Sequence, residues 1–226
     1  MSKRWDVILL DEVEQWFFSL DRDTMAAVTG AIDLLELEGP TLGRPIVDKV
    51  NGSKFHSMKE LRPAGTSIRV LFIFDPARQA ILLLGGDKAG DWKRWYDRNI
   101  PIADALREVA GDRARRVMTM ARHWRDIRAD AIAQGRLDTA RARAAREEMR
   151  EAVQAHRLAE IRKALGHSRQ ADVAALMGVS QARVSKLESG DPSHTELGTL
   201  QAYVAALGGQ LRVVAEFGDD TVELTA

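Results

Sequence analysis

The chain has 226 residues, 33 basic and 33 acidic side chains, hence no formal net charge, and no cysteine. At about 150 residues per domain, the length allows more than one compact unit and fewer than three. Absent cysteine excludes disulfide frameworks, cysteine zinc sites and thiol nucleophiles, and makes a reducing cytoplasm the expected compartment. The longest apolar runs, VLFIF and AILLL, fall far short of the roughly 18 residues that span a bilayer. Asp6, Asp11 and Glu12 crowd the first apolar stretch, which does not read as a signal peptide. Secreted, membrane-spanning and disulfide-stapled classes are excluded, and no membrane partner is expected.

Charge is unevenly spread. Residues 1–110 carry 15 basic and 17 acidic groups (net −2), residues 111–165 carry 14 and 8 (net +6), and residues 166–226 carry 4 and 8 (net −4). An arginine-rich middle thus separates two mildly acidic ends. WDVILL (5–10) reads as a short buried strand. DEVEQWFFSL follows with acids in its first turn, where the helix dipole favours them. Asp23 is the expected cap of a second helix, whose Met25, Val28, Ile32 and Leu35 recur at three- and four-residue steps. Gly39-Pro40 ends it. Three β segments come next, KFHSMKELR (54–62), SIRVLFIFD (67–75) and QAILLLGG (79–86). An Asp75-Pro76-Ala77-Arg78 turn places the last two to pair as a hairpin. With a short helix near AGDWKRWYDR (89–98), the order β-α-α-β-β-β describes an α+β domain with two helices packed on one face of a sheet.

Beyond Pro101, Ala, Arg and Glu dominate, a strongly helix-forming composition. Gly111 and Gly135 are the expected breaks. Asp138 or Thr139 is placed to cap a long helix toward Leu165, with Gly166 as its left-handed stop. The boundary between the halves is expected in GDRARRVM (111–118). The strongest motif is SRQADVAALMGVSQARVSKLESG (168–190), which fits a helix-turn-helix with Gln170 at its first position. Ala174 supplies the small residue at the fifth place, and Gly178 the positive φ of the turn. Val173, Met177, Val184 and Leu187 glue the two helices together. Ser180 caps the second helix, whose N-terminal residues would enter a DNA major groove. Gln181, Ala182, Arg183, Ser185 and Lys186 are left outward as DNA-binding candidates, since Gln suits adenine and Arg or Lys suits guanine. Gln170 and Thr195, each at the start of a helix, are placed for phosphates. Operator DNA is the implied partner. The low local charge implies a dimer, or help from the arginine-rich segment.

VSQARVSKLESG, SHTELGTLQAYVAALGG and LRVVAEF resemble the Cro/CI-type family and, more closely, the HigA-type antitoxins, over roughly 120–217. LRVVAEF resembles the strand such proteins use for pairing, which implies a homodimer through the C-terminal domain; closing the domain's own surface is the other reading of that strand. The β-α-α-β-β-β order, with FHSMKELR, SIRVLFIF and ILLLGGDKAGDWKRWYDR, resembles the RelE/HigB toxin fold over about 5–108. The two resemblances imply three parts. Residues 1–110 are a toxin domain, 111–149 an arginine-rich helical connector and toxin-inhibiting segment, and 150–226 an all-α helix-turn-helix DNA-binding domain with a short C-terminal strand.

Toxins of this kind cut messenger RNA on the ribosome. The ribose 2′-hydroxyl attacks the adjacent phosphate, so the resemblance implies a metal-independent endoribonuclease without a cofactor. That chemistry needs cations on the scissile phosphate and groups that move protons. Lys54, His56, Met58, Glu60 and Arg62 alternate onto one face of the expected strand, a row costly to bury. Arg62 and Arg69 match places where the family carries a phosphate-binding arginine, and Lys88 matches a basic residue after the last strand. In place of the family's frequent C-terminal tyrosine or histidine stands DWKRWYDR, where Tyr96 is the candidate to move protons alongside Glu60. Lys54, His56, Lys93 and Arg94 are RNA-binding candidates. Trp92 joins them through stacking on bases; core packing is the other reading for Trp92 and Trp95. The remaining histidines have no metal-ligand spacing. The chain thus reads as a toxin–antitoxin module in which an RNA-cleaving half is restrained by a half that binds and represses its operator. Two alternatives stay open: a transcription regulator whose toxin-like domain is catalytically inactive and serves sensing or dimerisation, and a toxin directed at gyrase.

Overall fold

The computed structural model describes residues 4–90, 92–112, 121–189, 195–217 and 220–224. The chain divides into two compact units, one reaching Val153 and the other starting at Gln154. The architecture is α+β: a sheet with helices, then a helical region that ends in a strand pair.

The first unit opens with β1 (Asp6–Leu10), α1 (Asp11–Ser19) and α2 (Arg22–Glu38), and a 3-10 turn at Gly39–Thr41. The strands β2 (Val47–Lys49), β3 (Lys59–Leu61), β4 (Ile68–Phe74) and β5 (Gln79–Asp87) follow, then α3 (Trp92–Asp112). After these come β6 (Ala121–His123), α4 (Trp124–Ala133) and α5 (Thr139–Ala164). The sheet order is β2-β3-β4-β5-β1-β6. β1 runs parallel to β5, while its other neighbour β6 is antiparallel, with Ile8 opposite His123 and Leu10 opposite Ala121. Val70–Ile73 are buried without alternation, as befits a strand covered on both faces.

Local chemistry explains the elements. Met25, Val28, Ile32 and Leu35 all lie in the core, as their spacing predicts. The cap of α2 is Asp21 rather than Asp23: its side chain accepts the N–H groups of Asp23 and Thr24, each at 2.9 Å. Asp23 sits inside the first turn and pairs instead with Arg141. Asp138 accepts the N–H of Arg141 at 3.0 Å and caps α5, and Gly135 and Gly166 take positive φ.

Four further sequence expectations change in the first unit. The segment 54–62 forms a strand only at Lys59–Leu61, so Lys54, His56, Met58, Glu60 and Arg62 do not share one strand face. Its first part is pulled into a turn by Asp104, which accepts from Ser53 Oγ at 2.6 Å and from the Lys54 N–H at 3.0 Å. Second, the partner on β3's outer edge is β2, a strand the sequence did not announce. Third, α3 runs 21 residues through Pro101 and ends, as described, at Asp112, so it is far longer than the short helix expected near residues 89–98. Fourth, β6 lengthens the sheet beyond β1.

Residues 121–153 are part of the first core. Trp124, Ile127, Ala131, Ala142, Met149 and Val153 are buried in one cluster with Phe17, Ile32 and Leu82.

The second unit holds the end of α5, α6 (Gln170–Met177), α7 (Gln181–Ser189), α8 (Leu197–Ala206) and the hairpin β7 (Val213–Phe217) with β8 (Asp220–Leu224). The single terminal strand expected from LRVVAEF thus pairs with a second strand of this chain. Val173, Ala174, Val184 and Leu187 close the small core together with Tyr203. Gly178 has φ of 64° in the turn between α6 and α7.

Candidate functional site

Glu60 is the centre of a charged cluster in the first unit. β3 places it opposite Leu71 of β4, where it is 3% exposed. Arg62, just beyond β3, donates through Nε and Nη2 to Glu60 Oε1 at 2.9 and 2.5 Å. Its Nη2 also lies 2.9 Å from Asp48 Oδ2 on β2. Tyr96, from the first turns of α3, donates its O–H to Glu60 Oε2 at 2.5 Å. Arg69 of β4 brings its Nε to 3.7 Å from the same oxygen, and that buried Nε has no hydrogen-bond partner. Lys88, after β5, holds its ammonium 5.8 Å from the centre of the Tyr96 ring. Glu60, Arg62, Lys88 and Tyr96 line a cleft of about 710 Å³, together with Arg44, Asp48 and Lys93, while Arg69 lies behind them and is not among the lining residues.

The electrostatics follow from crowding. Burial and the Glu60 carboxylate push the Tyr96 phenol up to about 12, so it keeps its proton at neutral pH. Burial and the neighbouring Arg69 charge lower the Lys88 ammonium. Burial opposes ionisation of Asp48, yet hydrogen bonds from Arg44 and the Lys49 N–H, with the Arg62 charge, hold it below the usual carboxylate range. The arrangement offers the Arg62 guanidinium and the Lys88 ammonium to an anion, with Arg69 behind them, beside the Glu60 carboxylate and a phenol able to give a proton.

Of the residues singled out from sequence, Glu60, Arg62, Arg69, Lys88 and Tyr96 converge, with Lys93 on the cleft wall. Lys54 and His56 stand apart, exposed in the turn before β3, where Lys54 pairs with Glu108 at 3.6 Å. Arg94 is exposed on α3 and is not among the cleft residues. The Trp92 side chain lies outside the described residues. Trp95 packs against the core beside Gly86, where any added Cβ would come within 2.9 Å of the indole nitrogen. Sequence reasoning missed Asp48 and Arg44, which lie 2.9 Å apart. Nothing in a three-residue strand signals them.

The second unit carries the helix-turn-helix. Ser180 Oγ accepts the Arg183 N–H at 3.3 Å and caps α7. Gln181, Ala182, Arg183 and Lys186 are exposed and Ser185 half-buried, while Val184 and Leu187 face inward. Arg183 donates to Thr199 Oγ1 at 3.0 Å, which ties it to α8. Gln170 does not stand alone at its helix start. It donates to Glu188 Oε2 at 3.1 Å and accepts from Gln181 Nε2 at 3.2 Å. Thr195 lies just before α8.

Behind this surface sits a buried network that sequence reasoning also missed. Arg162 of α5 donates to Glu188 through Nε at 2.6 Å and Nη2 at 2.9 Å, and through Nη1 to the carbonyls of His167 and Ser168. Tyr203 donates to Glu188 Oε1 at 2.6 Å. Burial opposes ionisation of Glu188, but the bonds from Arg162, Tyr203 and Gln170 hold its carboxyl below the ordinary range. The same burial and carboxylate push the Tyr203 phenol up. A chain of contacts therefore runs from α5 through Glu188 and Gln170 to Gln181.

Comparison with known proteins assigns the two parts of the chain to different families. Residues 15–108 match the family described as phage derived protein Gp49-like, and residues 158–214 match the helix-turn-helix family. A Mycobacterium tuberculosis protein named as toxin HigB3 is 81% identical over 102 residues, 45% of this chain and 90% of its own length. One named as antitoxin HigA3, from the same organism, is 86% identical over 109 residues, 48% of this chain and all of its own length. The chain belongs to the HigB toxin and HigA antitoxin families. One polypeptide carries both, the toxin-like half first. Two solved structures also match, described as DNA-bound antitoxin HigA3 (91% identity, 30% of this chain and 88% of that one, TM-score 0.29) and as induced DNA bending by unique dimerization of HigA antitoxin (92%, 31% and 91%, TM-score 0.30). The stretch from Gln154 onward is shorter than the 109 residues of the HigA3 match. The HigA-like part therefore begins inside the first compact unit.

Proposed function

We propose that the HigB-like half is a ribosome-dependent endoribonuclease that cleaves messenger RNA, and that the HigA-like half restrains it and represses an operator. The observation that carries the nuclease reading is the gathering of Arg62, Arg69, Lys88 and Tyr96 about Glu60, beside a cleft that all of them but Arg69 line. The 2′-hydroxyl supplies the nucleophile. Its oxygen bonds to the phosphorus as the bond to the 5′-oxygen breaks, giving a 2′,3′-cyclic phosphate. Arg62 and Arg69 hold the charge that builds on the phosphoryl oxygens. Glu60 takes the 2′ proton, and Tyr96, protonated at neutral pH, gives one to the departing 5′-oxygen. Glu60 and Asp48 occupy the Arg62 guanidinium that a phosphate would claim, so substrate must displace carboxylates to reach it.

The restraint is assigned to residues 121–153. They pack into the toxin-like core, yet the cleft is lined, among the described residues, by positions between 44 and 97. Operator binding is assigned to Gln181, Ala182, Arg183, Ser185 and Lys186, with Gln170 and Thr195 toward phosphates and a homodimer through the C-terminal domain. The test is a translating extract given residues 1–112 or the whole chain. The fragment should cleave messenger RNA with cyclic-phosphate ends while the whole chain stays quiet. Arg62→Ala and Arg69→Ala should each slow cleavage by about a hundredfold. Cleavage that survives both substitutions would remove the assignment.

A further inference from the structure

Among the described residues, three ion pairs and one histidine–carboxylate contact join residues 4–112 to residues 121–153, and they all run the same way. Arg122 reaches Glu14 at 2.6 Å, His123 reaches Asp6 at 2.9 Å, Arg128 faces Asp33 at 3.3 Å, and Arg141 pairs with Asp23. The acid is on the HigB-like side each time. Two of these acids, with Gly30, fall in one stripe of α2: Asp23, Gly30 and Asp33 are seven and three residues apart, a spacing that shares a helix face.

Each position of the stripe meets a different feature. At Gly30 a side chain would come within 2.7 Å of the Arg146 nitrogen and 2.9 Å of the Ala142 carbonyl. Both are backbone atoms, so no change of rotamer would make room. Asp33, 7% exposed, accepts from Trp124 Nε1 at 2.8 Å. Trp124 itself is 1% exposed and stands edge-on to Phe17, ring centres 5.3 Å apart. A buried tryptophan with its polar atom satisfied is the kind of anchor that dominates protein interfaces. By contrast, β6 joins β1 through main-chain pairing, which gives affinity with little sequence preference.

We propose that this α2 stripe and the Trp124 socket are the surface by which the HigB-like half selects its antitoxin. The occupant is this chain's own strand–Trp–helix segment, Ala121–Val153. This rests on the toxin–antitoxin reading above and adds which residues decide the partner. The stripe residues are not among those lining the cleft, so pairing and cleavage are separable by mutation.

The test uses the whole chain with a protease site placed within residues 113–120, cut after folding. Association of the two fragments is then followed by size exclusion and by exchange with a labelled fragment. The cut wild type should stay together on dilution. Trp124→Ala and Gly30→Leu should each raise the Kd at least about 30-fold, while Arg62→Ala in the cleft should leave it unchanged. The exposed pair guards against a trivial loss of fold: Asp23→Arg and Arg141→Asp should each weaken association about two- to fivefold, and together restore it. Fragments that part on cutting, or a Kd indifferent to Trp124 and Gly30, would overturn the proposal. Because the readout is association, fragments that hold together but cleave no RNA would remove the nuclease reading and leave the pairing surface standing.

Discussion

Glu60 and Tyr96 share one short hydrogen bond, and the phenol keeps its proton at neutral pH, so the cleft sets a carboxylate beside a proton donor. Glu60→Gln keeps the shape and removes the proton acceptor, so cleavage should fall by about a hundredfold or more, while association of the cut halves should not change. Both tyrosines of the chain donate to a buried carboxylate, and both phenols are pushed up. A phenol whose folded pKa exceeds its unfolded value stabilises the fold below its ordinary pKa of about 10 and loses that contribution as pH climbs through the folded value. Tyrosinate absorbance should therefore stay flat past pH 10, and rise near pH 12 or wherever the protein unfolds first. An ordinary titration near 10 by either residue would contradict the buried Glu60–Tyr96 and Glu188–Tyr203 bonds.

The recognition helix is held from behind by a charge it does not show. Glu188→Gln leaves Arg162 buried with a weakened partner and should cost about 3–5 kcal/mol, visible as a lower melting temperature. Glu188 is held below its ordinary pKa, so its contribution is present above pH 4.5 and is lost as pH falls through the lowered value. On the outer side, Gln181→Ala or Lys186→Ala should cost about 1–3 kcal/mol at an operator if each makes a base contact, with no effect on melting; fluorescence anisotropy with promoter DNA checks this. The two faces of one helix were not equally legible. Val184, Leu187, Gly178 and Ser180 announce themselves because a helix-turn-helix fixes its residues at short spacings. Glu188 looks like any exposed acid, since its partners Arg162 and Tyr203 lie 26 and 15 positions away. The same holds in the first unit. The periodic core of α2 and the β-branched run of β4 could be read directly. Ala121–His123 has no strand signature and pairs only because β1 offers an edge. The turn at 51–58 escaped because Asp104, fifty positions on, dictates it.

Two separate cores make two cooperative units the expected behaviour of the chain. α5 feeds both: Met149 and Val153 lie in the first cluster, while Leu158 packs on the second. Calorimetry should show two transitions, with Glu188→Gln lowering one and Trp124→Ala the other. A single transition moved equally by both would mean that the shared helix fuses the cores energetically.

The place of β6 at the end of the sheet has one more consequence. Its pairing with β1 covers the backbone groups on that flank. If residues 121–153 leave, β1 becomes an uncovered edge strand, composed largely of Val7, Ile8, Leu9 and Leu10. Bare apolar edges recruit other chains into mixed sheets and precipitate. A liberated toxin would then be short-lived by its own stickiness, and its activity in a cell would be limited by self-association as well as by recapture. Light scattering after release of the HigA-like fragment should rise with concentration, and an Ile8→Lys substitution on that edge should suppress it.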